Sequence, residues 1–216
     1  MNLQESARLL ATHDDFLIIT HKNPDGDTVM SAAALCRALR RKNKRAWLYP
    51  NPQITRKMLP FVEKLFAPET FHPRFTVCVD ISVENLFPEG FNGKTDFCID
   101  HHPTNSGYTM HRLVDPERSS CGEIVLELIL ELTGKITKTE ATLLYIALTT
   151  DTGAFQYANV SEKSFQSAAT MLKYGADANS VMLHFFRKTS EQRLRLEGAI
   201  YSNMRFYREA GWSLPQ

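Results

Sequence analysis

The chain has 216 residues, enough to bury the core of one domain, or of one domain and a fragment. Hydrophobic residues make up 43% and charged residues 23%, which is the composition of an ordinary globular protein. A net charge of +1 argues against a long electrostatic footprint on duplex DNA, but it is compatible with a short ligand that carries phosphates.

The sequence also indicates a compartment. No apolar run has the length of a membrane span, and residues 1–5 lack the charged and apolar regions of a signal peptide. The four cysteines are widely spaced and form no Cys-x-x-Cys pair, which is typical of small buried residues in a reducing environment. We therefore expect a cytoplasmic protein without a membrane partner.

Helix and strand patterns alternate along the chain. In chain order they predict a helix over residues 3–12, a strand over 16–20, a helix over 28–42, strands over 45–49, 75–80 and 96–100, and helices over 121–132, 139–149, 162–174 and 189–207. Strands that are spaced by helices favour an α/β fold with a doubly wound, mainly parallel sheet flanked by helices.

Acidic and imidazole side chains follow the predicted strands. The residues at these strand ends are His21, Asp25, Asp27, Asp80, Asp100, His101 and His102, and Asp151 follows an apolar helical stretch. Parallel α/β sheets bind ligands beyond the carboxyl ends of their strands. We therefore expect these side chains to meet at one edge of one sheet.

Each segment has a simpler interpretation when it is taken alone. Asp25-Gly26 is a common turn signal, and Asp80 could cap a following helix. Adjacent histidines can be polar surface, and Asp151 could hydrogen-bond its own turn. These interpretations do not explain why four separate segments bring acids or imidazoles to the same sheet edge, so we predict a metal site.

Crowded carboxylates need protons or cations. Two carboxylates 4 Å apart repel by roughly 4 kcal/mol at an effective dielectric constant of 20. A mixture of imidazole and carboxylate ligands suits Mn²⁺, and Mg²⁺ is the second choice because it prefers oxygen ligands. If Asp80 bridges two ions, the site has the two-metal arrangement that serves phosphoryl hydrolysis. Thr28 lies near a predicted helix N-terminus, where backbone N–H groups favour phosphate.

These motifs resemble the DHH phosphoesterase superfamily, named for a triplet found here as Asp100-His101-His102. The matching segments, in the order of the family, are residues 21–27, 79–82, 100–102 and 150–155. Within the superfamily the chain most resembles bifunctional oligoribonucleases that also act as 3′-phosphoadenosine-5′-phosphate phosphatases. Segments 119–123 and 193–198 also fit that branch.

The resemblance implies a role for each site residue. His21 and Asp25 would bind one manganese ion, Asp27, His101 and Asp151 would bind the second, and Asp80 would be shared by both. The remaining side chains would act on the substrate or on the ligands: His102 as a transition-state partner or acid, Asp100 as the residue that orients an imidazole, Asn23 near the water or phosphate, and Arg118, Ser120 and Thr28 as phosphate contacts.

The resemblance also implies domains and partners. Residues 1–187 would form the DHH domain, and residues 188–216 would be a linker helix and the truncated start of a DHH-associated domain. The expected enzyme is a manganese-dependent, 3′–5′ exoribonuclease-like phosphoesterase that acts on short RNA or a phosphorylated nucleotide, with a homodimer as an allowed assembly. The alternatives are an inorganic pyrophosphatase, a cyclic dinucleotide phosphodiesterase, and a non-catalytic metal- or nucleotide-binding remnant.

Overall fold

A computed structural model describes residues 1–209 and 212–215, and a parallel sheet forms its centre. The strands of this sheet are β1 (Phe16–Ile19), β2 (Ala46–Leu48), β3 (Phe75–Val79), β4 (Phe97–Asp100) and β5 (His111–Val114). They lie in the order β2-β1-β3-β4-β5, and every neighbouring pair is parallel. Two further strands, β6 (Phe206–Glu209) and β7 (Trp212–Pro215), pair antiparallel in a separate sheet.

The sheet reverses its strand order between β1 and β3. The chain leaves β1 for the edge strand β2 and then returns to place β3 on the other side of β1. Open α/β sheets bind ligands at such a reversal, beyond the carboxyl ends of the strands. His21 lies just beyond β1 and Asp80 follows β3 directly, so the fold places both residues at this point.

Eight α-helices accompany the strands in the described part of the chain. They are α1 (Leu3–Thr12), α2 (Gly26–Arg41), α3 (Leu59–Val62), α4 (Cys121–Thr133), α5 (Lys138–Asp151), α6 (Glu162–Lys173), α7 (Ala178–Met182) and α8 (Glu191–Ser202). Local sequence explains several starts: Asn2 with Glu5, and Thr137 with Glu140, form capping boxes that satisfy exposed N–H groups. Among the described residues, no helix combines the length and the apolar character needed to cross a bilayer.

Alternate strand residues divide between the two faces of the sheet. Phe16 and Ile18 belong to the main core, with the buried side chains of α1, α2, α4 and α5. Leu17 and Ile19 point to the other face. The aromatic side chains that pack on that second face come from connecting loops: Phe71, Phe87, Phe91 and Tyr108. The helical layer therefore fixes α2, α4 and α5 against the same side of the sheet.

The predicted α/β fold with a parallel sheet is confirmed, but one strand lies outside the prediction and the last predicted helix ends earlier in the structure. Strand β5 was not predicted, because Leu113 is its one buried residue and the run lacks an apolar pattern. The predicted helix over 189–207 is wrong at its C-terminal end, since α8 ends at Ser202 and Phe206 begins β6. Ser202 and Asn203 hydrogen-bond backbone carbonyls of the last turn, as short polar side chains do where helices end.

A partly buried ion pair ties the N-terminus of α5 to the C-terminus of α2. Arg41 contacts Glu140 at 3.0 Å, and Glu140 is only 1% exposed. Glu140 also accepts the N–H of Thr137 at 2.7 Å, so one carboxylate serves both the pair and the cap.

Replacing Glu140 with alanine should lower the free energy of unfolding by about 3 kcal/mol, because Arg41 and the helix cap lose their acceptor together. Chemical denaturation measures this change. Glu131→Ala, at an exposed position of α4, is the matched control and should stay within about 0.5 kcal/mol of the parent. Equal losses in the two variants would contradict the role of the pair.

Candidate metal centre

The loop between β1 and α2 folds His21 back towards the helix. Asp25 is the N-cap of α2, and its Oδ1 accepts the N–H of Thr28 at 3.1 Å. Asn23 adopts a left-handed conformation, with φ of 51°, which asparagine tolerates better than most residues. Gln53 fixes this turn by accepting the Asn23 N–H at 2.9 Å and donating to Asn23 Oδ1 at 3.0 Å. As a result, His21 Nε2 lies 3.7 Å from Asp25 Oδ1.

Two imidazoles are oriented by backbone carbonyls. His21 Nδ1 contacts the carbonyl of Lys22 at 2.8 Å, and His101 Nδ1 contacts the carbonyl of Arg118 at 3.1 Å. A carbonyl only accepts, so in both rings Nδ1 carries the hydrogen and Nε2 keeps its lone pair. Both Nε2 atoms face carboxylates, which is the arrangement of a ligating histidine.

Asp80 lies at the centre of the cluster. It is 2% exposed and has a φ of 62°, and its N–H donates to the carbonyl of Ile99 at 2.8 Å. Its Oδ2 lies 3.7 Å from His21 Nε2, and its Oδ1 lies 3.5 Å from His101 Nε2. Oδ1 is buried and accepts no hydrogen bond from the groups that the structure describes. One carboxylate thus faces ligand-type nitrogens on both sides.

Asp27 and Asp151 face His101 from two helices. Asp27 is fully buried and accepts the N–H groups of Cys121 at 2.6 Å and Gly122 at 2.9 Å. These donors are the first residues of α4, where the helix dipole favours negative charge. His101 Nε2 lies 3.8 Å from Asp27 Oδ2 and 3.7 Å from Asp151 Oδ2.

A glycine allows α2 and α5 to approach each other at this site. A Cβ on Gly26 would lie 2.4 Å from Thr150 Oγ1, closer than any real contact permits. Gly26 precedes Asp27 and Thr150 precedes Asp151. The absence of a side chain on Gly26 therefore allows Asp27 and Asp151 to approach the same imidazole, that of His101.

His102 belongs to a separate hydrogen-bonded chain. Its Nδ1 donates to Asp100 Oδ1 at 2.7 Å, and Asn105 donates to Asp100 Oδ2 at 2.6 Å. Asp100 Oδ1 also accepts the N–H of His101 at 2.8 Å. Both oxygens of Asp100 are therefore engaged as acceptors, and this residue orients His102. The His102 side chain itself is 42% exposed.

The structure brings all six predicted metal ligands together. They form two groups whose potential ligand atoms lie within 4.8 Å of one another, His21 with Asp25 and Asp80, and Asp27 with His101 and Asp151. A third group of the same kind joins Asp80 to His101 and His102. Asp80 thus lies between the two predicted sites.

Burial and mutual repulsion dominate the electrostatics of the cluster. Burial and the neighbouring carboxylates raise the pKa values of Asp80 and Asp27 well above the ordinary value of an aspartate. Burial also raises the pKa of Asp151. For Asp25, burial is outweighed by the His21 imidazole beside it, which holds the pKa of Asp25 below its usual range. Such a cluster binds protons or cations.

Two of the three predicted substrate contacts, Thr28 and Arg118, bond to other groups of the protein, and the third, Ser120, is buried. Thr28 is fully buried, and its hydroxyl donates to the carbonyl of Val79 at 2.7 Å, so its side chain supports the site and does not face a ligand. Ser120 is also fully buried, and its hydroxyl has no hydrogen-bond partner among the described groups. Arg118 pairs with Asp115 at 3.0 Å and with Glu127 at 2.6 Å, so its charge is already compensated.

Several supporting amides were not predicted. Asn105 holds Asp100, Gln53 holds Asn23, and Asn51 donates to the carbonyl of His21 at 3.0 Å. Asn159 donates to the carbonyl of Asp151 at 3.2 Å. Amide side chains form no recognisable motif in a sequence. The one local signal for Asn105 is its position five residues after Asp100.

The parallel sheet, with imidazoles and carboxylates gathered at its strand-order reversal, defines an α/β protein with a candidate dinuclear metal centre. The chain belongs to the DHH family, because residues 15–148 match the N-terminal domain of that family. This match includes His21, Asp25, Asp27, Asp80 and His101.

Named relatives agree with this assignment. The chain is 32% identical over 206 residues to the bifunctional oligoribonuclease and PAP phosphatase NrnA of Thermus thermophilus, covering 92% of this chain and 62% of the relative. It is 26% identical to the protein of the same name from Bacillus subtilis, covering 93% of this chain and 66% of the relative. The chain thus spans about two thirds of the length of these relatives.

An exopolyphosphatase-related protein from Bacteroides fragilis shares the fold. Its crystal structure matches with a TM-score of 0.82 at 24% identity, over 95% of this chain and 66% of the other. At this identity the likeness concerns the fold alone.

Placing a methyl group on Gly26 should weaken metal binding, because it would push α2 away from Thr150 and separate Asp27 from Asp151. We expect Gly26→Ala to lower the affinity for Mn²⁺ at least tenfold in isothermal calorimetry. Gly198→Ala is the control, since a Cβ there meets no atom within 4 Å. An unchanged affinity in folded Gly26→Ala would refute the packing argument.

Proposed function

We propose that this chain carries the catalytic site of a manganese-dependent phosphoesterase that hydrolyses short oligoribonucleotides, 3′-phosphoadenosine-5′-phosphate, or both. The observation that carries the proposal is the Asp80 carboxylate, with His21 Nε2 3.7 Å from one oxygen and His101 Nε2 3.5 Å from the other. Membership of the DHH family supports the reaction class. The names of the relatives, oligoribonuclease and PAP phosphatase, suggest the substrates.

The donor set fits two divalent cations. Asp80 Oδ1 is a buried acceptor with no protein donor among the described groups, and the imidazole lone pairs point into the cluster. His21 and Asp25 would hold one ion, Asp27, His101 and Asp151 would hold the other, and Asp80 would bridge them. The imidazole ligands favour manganese over magnesium. When bound, the ions would polarise a phosphoryl oxygen and acidify a water molecule.

His102 would act on the substrate. Asp100 accepts its Nδ1 hydrogen, so the ring has a fixed orientation, and the bond to Asp100 raises the pKa of His102. A protonated imidazole beside the cluster can stabilise charge on the phosphate oxygens or donate a proton to the leaving oxygen. This role depends on an exposed edge, and His102 is part of the lining of the cleft.

The cleft has the size of a nucleotide site. It encloses about 380 Å³ and is lined by side chains that include Asp25, Asp80, His102 and Asp151. Small-molecule sites occupy roughly 300–1,000 Å³. A mononucleotide or the end of a short strand fits this space better than a duplex.

We place the end of the catalytic domain at residue 187. Helix α8 follows this point, and none of its side chains is buried. We therefore propose that residues 188–216 form a linker helix and the start of a DHH-associated domain.

A substrate panel tests the proposed reaction. The purified chain, loaded with MnCl₂, should release product from short RNA or from 3′-phosphoadenosine-5′-phosphate, and chelation should abolish the release because the carboxylate cluster needs its cations. High-resolution gels and phosphate release measure the two reactions. Preferential turnover of pyrophosphate or of a cyclic dinucleotide would replace the proposed substrates, and no turnover with a fully loaded site would indicate a binding protein.

Substitutions of Asp80 and of His102 should impair the enzyme in different ways. Asp80→Asn should remove most bound manganese and all measurable activity, because the bridge loses a negative charge. His102→Asn should lower kcat by about 10²-fold or more while leaving close to two ions per chain. Metal analysis by mass spectrometry separates these outcomes, and the exposed His72→Asn is the control. Full occupancy in Asp80→Asn would contradict the bridging role.

A further inference from the structure

Lys22 is one of the residues that line the acidic cleft. The same lining includes the carboxylates of Asp25, Asp80 and Asp151. No carboxylate oxygen in residues 1–205 lies within ion-pair distance of the Lys22 ammonium group. The lysine thus lies beside the cluster without being neutralised by it.

The main chain of Lys22 is fixed on both sides. Its N–H donates to the carbonyl of Leu86 at 2.7 Å, and its own carbonyl accepts from His21 Nδ1 at 2.8 Å. The backbone of Lys22 therefore orients the His21 imidazole, and its bond to Leu86 fixes the position of Lys22 itself. The origin of the side chain is rigid, and the four-carbon stem leaves the ammonium group free to follow a ligand.

The charge balance of the site leaves a need for such a cation. Two divalent ions would offset the four carboxylates of Asp25, Asp27, Asp80 and Asp151, so the loaded cluster would have little net charge. A nucleotide with two phosphates brings more negative charge than the cluster can neutralise. The phosphate that is not cleaved then requires a partner outside the metal groups.

We propose that Lys22 binds the non-scissile phosphate of the substrate and so selects ligands that carry a second phosphate. The inference rests on the proposed function, since it assigns the second phosphate of the same substrates. Lys22 is a binding and specificity residue for this phosphate. The scissile group belongs at the metal cluster, from whose carboxylates the ammonium group is separated.

Matched ligands with one and two phosphates test the proposal. The probes are 3′-phosphoadenosine-5′-phosphate and adenosine 3′-monophosphate, which lacks the second phosphate. Lys22→Gln should raise KM for the first probe about tenfold more than for the second, because a charge-assisted phosphate contact is lost. Lys22→Arg should restore most of the preference. Lys64→Gln, at an exposed position away from the cleft, should match the parent.

A binding measurement separates this proposal from the proposed reaction. Calorimetry in the His102→Ala background, with manganese present, compares the affinity of both probes with and without Lys22→Gln, independently of turnover. A selective loss of affinity for the bisphosphate supports the role of Lys22 even if no substrate is cleaved. Equal losses for both probes, no loss for either, or no binding of the bisphosphate to the Lys22 protein would overturn it.

Discussion

The burial of Asp80 in a left-handed turn is the constraint on which the rest of the site depends. Its φ of 62° costs a residue of this type about 1 kcal/mol, and its carboxylate is nearly inaccessible to water. Both costs persist because the turn aims one carboxylate at His21 and His101 together. The strand-order reversal makes β1 and β3 neighbours, so that the residues that follow these two strands, His21 and Asp80, lie close together.

Around Asp80, backbone groups outside the set of ligands determine the geometry of the ligands. Backbone carbonyls set the tautomers of His21 and His101, and the N-terminus of α4 holds Asp27. In the two imidazoles these contacts use Nδ1, which leaves Nε2 facing the carboxylates, whereas Asp27 accepts an N–H at each oxygen while its Oδ2 still lies 3.8 Å from His101 Nε2. The supporting contacts therefore leave Nε2 of both histidines available, and this orientation separates a prepared metal centre from a set of ordinary surface acids.

The ligands could be predicted from sequence because they lie in short motifs at the ends of apolar strands. Helix α1 was predicted with the bounds that the structure shows, since its cap and its apolar face are both local. Whether Thr28, Ser120 and Arg118 contact phosphate could not be predicted from such local motifs. Thr28 bonds to a carbonyl 51 residues away, and only the fold reveals that its hydroxyl is engaged. The amides Asn51 and Asn159 act through their positions in space, so no spacing in the sequence marks them.

The left-handed backbone at Asp80 sets the stability of the metal-free protein against its function. Asparagine has nearly the same shape as aspartate, adopts this conformation readily, and would end the repulsion among the carboxylates. A chain with that change should fold more stably than the parent in the absence of metal, yet it would lose its bridge. The stability of the metal-free protein alone would therefore favour asparagine at this turn, and the acid is the less stable choice that keeps the bridge.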